Sequence, residues 1–458
     1  MKNIVIILVG IIFIGCENWF DVSPKTEIKA EDMFEDERGF MDALTGAYSL
    51  MTKDELYGQE LTMGFVEVLG QTYDGLSSSV TSPYLDAFNF NYGVVSEERR
   101  LEKIWKGQYN VIMNLNAMLS YVDKQKHVFS KGNYELIKGE ALALRGFLHF
   151  DLLRLFAPAP VTGKVQNAIP YVDKYSNQAF PQLTIEQVVE KMVSDVDSAR
   201  IYLKKVDFWG PDSLGIDKDH FSTYMKDRGI HMNYYAATAL LARIYLYSGE
   251  KTLAFSKAEE VINSNRFDLV TDGITGVSRL FPSEHIFALS KKNISATLEN
   301  LYNTGSYSAP VSISQDRIDN IYYNESINTD LRKTWWFEGA KVVKFNNTER
   351  LPLLRVSEMY LIAAECASNI IIGQQYLNEL RAHRNLPALP DFGNDENSFQ
   401  LELKQEILKE QLLDGQLFFY YKRNNEINLP NRPELTDTKV VYCLPIPQGE
   451  YEFGNMSK

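Results

Sequence analysis

A long run of apolar residues at helical spacing, Asn133–Phe156, most strongly limits what this chain can fold into. Leucines and phenylalanines recur three and four positions apart along it, and two acidic residues, Glu140 and Asp151, interrupt the apolar face. Pro158 and Pro160 end the run, because proline disrupts the hydrogen bonds of a helix interior. The segment predicts one long, central helix that needs other helices to cover its apolar face.

Further segments with the same spacing come in pairs, which is typical of helical hairpins. The small residues and short turns between them, such as Ser248-Gly249, favour close packing of neighbouring helices. The predicted hairpin regions are about 96–156, 184–263 and 354–384, with individual helices at 96–122, 133–156, 184–203, 233–247, 250–263, 356–371, 374–383 and 399–413.

These hairpins predict a mainly α-helical fold. The short turns are similar to those of tetratricopeptide repeats, but no strict repeat period occurs. Stacked hairpins bury a shared core that no single hairpin could bury alone, so we expect an irregular α-solenoid of tetratricopeptide-like hairpins. Two insertions, 58–95 and 266–344, are rich in Gly, Ser, Asn, Thr and aromatic residues. They are long enough to carry function or short strands of their own.

The charge balance argues against a nucleic-acid partner. Lys and Arg number 47 against 60 Asp and Glu, which gives a formal net charge of −13 and a pI near 5.1. Binding to phosphates depends on clusters of basic residues, and none is visible. Aromatic residues make up 12% of the chain, and such rings suit stacking on ligands as well as core packing.

The sequence contains no recognised catalytic or metal-binding motif. Its histidines are scattered without an HExxH pair, and after Cys16 only Cys366 and Cys443 remain, without CxxC spacing. We therefore expect no metal, no cofactor and no catalytic residue, and we place His149 and Trp105 in helix contacts of the core. The histidines are His127, His149, His220, His231, His285 and His383.

A glycoside hydrolase is the rival class of protein. Such an enzyme needs two carboxylates that flank a sugar, and this acidic chain has many. Only Asp74 has a loop-like, aromatic context, and no second carboxylate is specified by spacing. A helical scaffold that binds another protein is a third class, because helical repeats commonly bind proteins.

The N-terminus has the form of a bacterial lipoprotein signal. Lys2 precedes an apolar run of about eleven residues, which is too short to cross a bilayer that needs about twenty. Gly15-Cys16 fits the end of a lipobox, so we predict a signal peptide over 1–15 and lipidation of Cys16. An ordinary secretory signal with an incidental cysteine is the alternative. Either signal makes the mature chain extracytoplasmic.

Several segments, in the same order along the chain, resemble the SusD/RagB family of outer-membrane nutrient-binding lipoproteins. The segment GEALALRGF at 139–147 is the most recognisable of them. Glu410, followed by Asp414-Gly415, resembles the start of another family segment. The other resembling segments are WFDVSP at 19–24, LRVSEMYLIAAE at 354–365 and LPIP at 444–447.

The resemblance implies a surface-exposed protein that is anchored to the outer membrane by the lipid on Cys16. Such a protein lies over a SusC-like TonB-dependent transporter, captures an oligosaccharide or a peptide, and hands it down. Residues 16–57 would form the tether and first helix, and 58–458 a single SusD-like unit with its ligand surface in 58–95 and 266–344.

Two aromatic clusters are the candidates for that ligand surface. The resemblance implies glycan contacts in both insertions, where a ring can stack on a sugar and a carboxylate can accept hydrogen bonds from hydroxyls. Adjacent Trp335 and Trp336 cannot both point the same way in an extended chain, so at most one of them should be exposed. The candidates are Tyr73, Asp74, Tyr84 and Tyr92 in the first cluster and Tyr302, Tyr307, Trp335 and Trp336 in the second.

Overall fold

The structure is a computed structural model that describes residues 30–74, 76, 82–207, 209–211, 227–270, 279–303, 309–323, 330–432 and 434–456. The long helices within these ranges are numbered α1 to α9 in chain order. They are α1 Glu37–Met51, α2 Val95–Val122, α3 Asn133–Phe156, α4 Ile185–Val206, α5 Tyr234–Ser248, α6 Lys251–Ile262, α7 Val356–Cys366, α8 Ile370–Ala382 and α9 Glu396–Glu410.

Short helices and strands occupy much of the remaining described chain. The short helices are Ala30–Met33, Phe65–Leu69, Leu85–Phe88, Ile294–Leu298, Gln315–Ile321, Leu331–Trp336, Leu417–Arg423, Thr438–Tyr442 and Gln448–Glu452. The strands are β1 Asn167–Pro170, β2 Gln182–Thr184, β3 His285–Ser290, β4 Phe337–Glu338, β5 Lys341–Val342 and β6 Arg350–Arg355. They pair antiparallel as β1–β2, β3–β6 and β4–β5.

Polar side chains fix where the predicted helices begin. Thr184 caps α4, and its hydroxyl accepts a hydrogen bond from the backbone of Gln187 while the Gln187 side chain bonds back to Thr184. The Asn233 side chain accepts from the backbone nitrogen of Ala236 at the start of α5. At the other end of α5, Gly249 adopts the left-handed conformation, with φ 85°, in the turn to α6. The hairpin predicted from the sequence around Ser248-Gly249 is therefore confirmed.

Each long helix packs on the next one along the chain. Contacts run from α1 to α2, on through α3, α4, α5 and α6, then across to α7 and α8. The central helix α3 is buried along nearly its whole length, from Asn133 to Phe156. This succession of antiparallel neighbours with only short strands confirms the irregular, mainly α-helical solenoid with loop-rich insertions.

The segment GEALALRGF contributes two glycines to the contact between α3 and α4. A methyl group on Gly139 would lie 2.8 Å from Leu203 Cγ, and one on Gly146 would lie 2.6 Å from Val196 Cγ2. Because the two glycines are seven residues apart, they lie on the same face of α3. Their lack of side chains lets α4 approach α3 closely, which explains why glycines stand at these two positions of the segment.

The third hairpin differs from its predicted bounds. The sequence predicted a helix over 356–371 that ends before Gly373, but α7 ends at Cys366 and α8 begins at Ile370. Asn369 causes the break, because its side chain accepts a hydrogen bond from the Ile372 backbone nitrogen and starts a new helix. Gly373 is therefore inside α8, where a methyl group would lie 2.6 Å from the Ala364 carbonyl oxygen.

A buried cluster of charges connects the last helices with β6. The Glu410 carboxylate, at the end of α9, accepts hydrogen bonds from Arg332, Arg355 and Arg384. Glu284 and Glu406 supply further negative charge, and all of these side chains are buried. Buried charges are costly unless they are paired, so this cluster fixes the relative positions of the segments that carry it.

Candidate functional site

The tyrosines of the first predicted cluster are buried. The Tyr73 hydroxyl donates to Glu67 Oε1 at 2.7 Å, and the Tyr92 hydroxyl donates to the Val441 carbonyl oxygen at 3.0 Å. Tyr84 is 1% exposed, and the Arg100 guanidinium lies 4.6 Å from the centre of its ring. These rings cannot stack on a ligand in solution, so the expectation that they form a sugar-binding platform is corrected.

The second predicted cluster is also largely buried. The Tyr302 hydroxyl donates to the Met63 carbonyl oxygen at 2.6 Å, and Trp336, at 0% exposure, donates from Nε1 to the Arg279 carbonyl oxygen at 3.1 Å. Trp335 is half-buried, so at most one of the adjacent tryptophans is exposed, as expected, although both lie in the short helix Leu331–Trp336 and not in an extended chain. Tyr307 lies outside the described residues. Among the described members of this cluster, Trp335 is thus the ring with part of its surface open.

The two insertions meet at these buried rings. The ring centres of Tyr73 and Tyr302 lie 5.4 Å apart, and the Ser82 hydroxyl donates to the Pro310 carbonyl oxygen at 2.6 Å. The backbone nitrogen of Asp74 donates to the Ser312 carbonyl oxygen at 3.0 Å. The two insertions that the sequence singled out therefore lie against each other, and the rings at their junction face the interior.

A cleft of about 530 Å³ lies on the outer side of this junction. Asp74 is half-buried in its wall, and its carboxylate accepts hydrogen bonds from the backbone nitrogen and the hydroxyl of Ser314. Asp316 and Asn320 are exposed on the short helix Gln315–Ile321. The lining residues are Thr72, Asp74, Ser314, Asp316, Arg317, Asn320, Ile321, Gln405, Leu408 and Pro430.

Arg317 holds three segments together at the edge of the cleft. Its guanidinium donates to the Tyr73 carbonyl oxygen at 3.1 Å and to the Asn431 side chain, and its Nε lies 3.6 Å from Asp74 Oδ1. The Asn431 amide also donates to the carbonyl oxygens of Gln71 and Tyr73. These hydrogen bonds fix the positions of Asp74 and Arg317 in the wall of the cleft.

A buried carboxylate, which the sequence did not reveal, supports the cleft from inside. Glu67 accepts hydrogen bonds from the Tyr73 hydroxyl and from the backbone nitrogens of Leu413 and Gly415, at 2.7 to 2.8 Å. Burial raises the pKa of Glu67 to about 7, although these hydrogen bonds act to lower it. Glu67 was missed because it lies in a short apolar helix, and its three partners are distant in sequence or in a loop.

A second concave surface, which we call the α2 groove, lies along the helix Val95–Val122. It encloses about 350 Å³. Trp105 is buried at its base, as expected from the helical spacing, and donates from Nε1 to Glu450 Oε1 at 3.0 Å. The other residues lining it are Lys106, Tyr109, Asn110, Met113, Pro170, Val172, Ser176, Gln178, Ala179, Phe180, Glu450, Gly454 and Asn455.

The remaining sequence predictions concern His149, the N-terminal segment, metal ligands and membrane-spanning helices. His149 is buried, and its two ring nitrogens lie 2.8 Å from the Arg145 carbonyl oxygen and 2.9 Å from the Val172 backbone nitrogen. Cys16 and the segment at 19–24 lie outside the described residues. Across the described ranges, no three His, Cys, Asp or Glu side chains are grouped so that they could hold a metal ion. The described helices include none that is long and apolar enough to cross a membrane.

Two family models match this chain, one in each half. A SusD-like family described as starch-binding and associating with the outer membrane matches residues 18–207, and the SusD family matches residues 283–429. Two SusD-like proteins of Formosa agariphila are 21% and 23% identical over 272 and 281 residues, which are 58% and 59% of this chain. The matches span about half the length of these relatives, 47% and 48%.

Solved structures with the same fold cover most of the chain. A SusD superfamily protein of Bacteroides thetaiotaomicron has a TM-score of 0.70 at 22% identity, covering 91% of this chain and 97% of its own. A SusD-like carbohydrate-binding protein of Bacteroides vulgatus has a TM-score of 0.72 at 17% identity, covering 92% and 97%. At these identities the likeness concerns the fold, while the family models rest on sequence. Together they show that the chain belongs to the SusD/RagB family.

Proposed function

We propose that this protein is a nutrient-binding lipoprotein of the cell surface, which captures an oligosaccharide and delivers it to a SusC-like TonB-dependent transporter. The observation that carries the proposal is the cleft at the junction of the two insertions, where Asp74, Asp316 and Arg317 are available to a ligand. The description of the matching family as starch-binding and associating with the outer membrane supports both the ligand class and the location.

The chemistry of the cleft suits a ligand rich in hydroxyl groups. The carboxylates of Asp74 and Asp316 accept hydrogen bonds, and the amides of Asn320 and Gln405 both donate and accept them. Ile321, Leu408 and Pro430 add apolar surface for the C–H groups of a sugar ring. This mixture of polar and apolar groups is typical of a site that binds a small polar molecule.

The anchor and the delivery step rest on the sequence and the family. Gly15-Cys16 fits a lipobox, and a lipid on Cys16 would hold the mature chain at the outer membrane. A single acyl chain binds membranes weakly and reversibly, so the several chains of a lipidated N-terminus are needed for stable anchoring. Replacing Cys16 by alanine should release the protein from the membrane fraction, and retention of that variant would contradict the lipoprotein assignment.

Two alternatives use the same cleft. A peptide could bind there, since amides and carboxylates also recognise peptide groups. A glycoside hydrolase would need two carboxylates on opposite sides of a sugar, and Asp74 and Asp316 both line the cleft. The Asp74 carboxylate already accepts two hydrogen bonds from Ser314 and lies beside Arg317, which suits orientation of a ligand better than proton transfer.

Calorimetry of the mature chain against neutral oligosaccharides, acidic oligosaccharides and peptides tests the proposal, with analysis of products in the same samples. We expect saturable heat with an oligosaccharide and no new products. Saturation with peptides alone would favour the peptide alternative, and new products would identify an enzyme.

A pair of variants on one helix tests the location of the site. Asp316 lines the cleft, whereas Asp319, three residues on, is paired with Lys333 at 2.9 Å and is not part of the lining. We expect Asp316→Asn to lower the affinity about tenfold, because a hydrogen bond to a charged group contributes about 1.5–3 kcal/mol. Asp319→Asn should leave the affinity unchanged. Equal affinities of the two variants would remove the cleft as the binding site.

A further inference from the structure

The α2 groove is an apolar surface without a partner among the described residues. Phe180 and Met113 are half-buried in it, and the Tyr109 ring lies 4.9 Å from that of Trp105. Phe453, next to Gly454 at the rim, is 85% exposed. Large exposed apolar residues beside a concave apolar surface favour an interaction with another apolar group.

The chain that precedes Ala30 contains suitable apolar groups. Trp19 and Phe20 are adjacent, and the residues from Asp21 to Lys29 are mostly polar. An aromatic pair in such a segment gains free energy when an apolar surface covers it, because burial removes the rings from water.

The groove lies within reach of these two residues. Phe34, four residues beyond Ala30, stacks on Tyr121 near the end of α2, with ring centres 5.2 Å apart. Along the axis of the same helix, the groove begins at Met113, on the order of 12 Å from Tyr121 at 1.5 Å per residue, and its far end at Trp105 is about 24 Å from Tyr121. The ten residues from Phe20 to Ala30 can span up to about 33 Å.

We propose that Trp19 and Phe20 dock into the α2 groove. Because both partners belong to one chain, the effective concentration of the pair near the groove is about millimolar, so a dissociation constant of about 0.1 mM for the two rings gives an occupancy of about nine-tenths. The rim also suits this segment, since Asn110, Gln178 and Asn455 can hydrogen-bond to a peptide backbone.

Docking has a consequence for orientation. Only two residues, Glu17 and Asn18, separate Trp19 from Cys16. If Cys16 carries a lipid, the α2 groove is therefore held next to the membrane surface, and the protein cannot turn freely on a long tether. This consequence rests on the proposed function, whereas the docking itself does not need the lipid.

Disulfide formation between paired cysteines tests the docking. The test pair is Asp21→Cys with Asn110→Cys, which places one thiol beside the aromatic pair and the other at an exposed position of the groove. The control pair is Asp21→Cys with Lys124→Cys. Lys124 is exposed, and its ammonium lies 5.2 Å from the ring of Tyr121, so the control thiol is closer than the groove to the start of the described chain.

The mature chain is oxidised in two forms, one lipidated and one carrying Cys16→Ser, and Asp21→Cys alone gives the background from native Cys366 and Cys443. We expect a several-fold higher yield for the groove pair than for the control pair in both forms. Adding Trp19→Ala and Phe20→Ala to the groove pair should reduce its yield to that of the control.

Equal yields for the two pairs, or a groove yield that survives loss of both aromatic residues, would overturn the proposal. Self-association of the parent chain, or loss of oligosaccharide binding in Phe180→Ala, would then identify a second copy or a glycan as the occupant. Failure of lipidation alone would affect the anchor and leave the result for Cys16→Ser intact. The two proposals can therefore fail separately.

Discussion

Replacing Glu410 by glutamine tests whether the buried charge cluster holds the end of the solenoid together. Glu410 accepts hydrogen bonds from Arg332 at 3.1 Å, from Arg355 at 2.7 Å and from Arg384 twice at 2.9 Å. The amide has almost the same shape but lacks the charge, and its NH₂ group would face a guanidinium donor. The substitution therefore removes the counter-charge that these arginines share and leaves the packing nearly unchanged.

The expected loss follows from what remains around the three arginines. Breaking a buried ion pair costs about 3–5 kcal/mol, because it leaves an uncompensated charge in the interior. Here Asp330, Glu284 and Asp414 still pair with Arg332, Arg384 and Arg355, respectively. We therefore expect a loss near the lower end, about 3 kcal/mol, in the free energy of unfolding at pH 7.

Urea unfolding, followed by circular dichroism, measures this loss. The control is Glu402→Gln, near the middle of the same helix α9 and half-buried, which should change the free energy of unfolding by less than about 0.5 kcal/mol. A loss below about 1 kcal/mol for Glu410→Gln would refute the reasoning, because it would mean that the remaining carboxylates neutralise the cluster without Glu410.

Three further predictions concern acid stability, helix packing and the paired tryptophans. Burial raises the pKa of Glu406 and Glu140, but neighbouring positive charges outweigh burial and hold each pKa at about 2. The neighbours are Arg332, Lys409 and Arg381 around Glu406, and Arg228 and His231 around Glu140. Because these pKa values lie below the unfolded value of 4.5, the stabilisation by the two carboxylates is complete above about pH 5. It is lost as the pH falls towards 2, by about 3 kcal/mol per group. Urea unfolding at pH 7, 5 and 3 measures this loss of stability, and an unchanged free energy of unfolding at pH 3 would contradict the prediction. Gly146→Ala should lower the free energy of unfolding by about 1–3 kcal/mol, since its methyl group would lie 2.6 Å from Val196 Cγ2. Gly46→Ala, whose methyl group would have nothing within 4 Å, should raise the free energy of unfolding by about 0.5–1 kcal/mol. Equal urea midpoints for the two variants would argue against the close contact of α3 and α4. Trp336→Ala should lower the free energy of unfolding by about 3–5 kcal/mol, because the ring is fully buried. Trp335→Ala should lower it much less, because the ring is only half-buried. A larger drop in thermal stability for Trp335→Ala than for Trp336→Ala would contradict the assigned burial.

The helices could be predicted because their information is local and repeated. Apolar residues at three and four positions specified α3, and Ser248-Gly249 specified the turn between α5 and α6. The helix predicted at 356–371 failed where one side chain outweighed the pattern, since Asn369 starts a new helix within a continuous apolar run. Periodicity locates the face of a helix, but a capping hydrogen bond decides where the helix ends.

The Glu410 cluster could not be predicted from spacing. No local sequence pattern relates its members, because they are far apart along the chain. They include Glu284, Arg332, Arg355, Arg384 and Glu410. The resemblance to the family singled out Glu410, but it gave no physical reason for a glutamate at that position. The structure supplies the reason, because three arginines from three segments converge on one carboxylate.

The loop aromatics show how composition can indicate a place and mislead about a role. Residues with little helical or strand spacing need some other way to hold their position, and buried rings with satisfied hydroxyls provide it. Tyr73 and Asp74 are adjacent, and successive side chains of a chain that is locally extended point to opposite sides. The Tyr73 ring is buried against Tyr302, and Asp74 faces the cleft. The ring that we expected to touch the ligand therefore anchors the loop, and its neighbour Asp74 is the residue that lines the cleft.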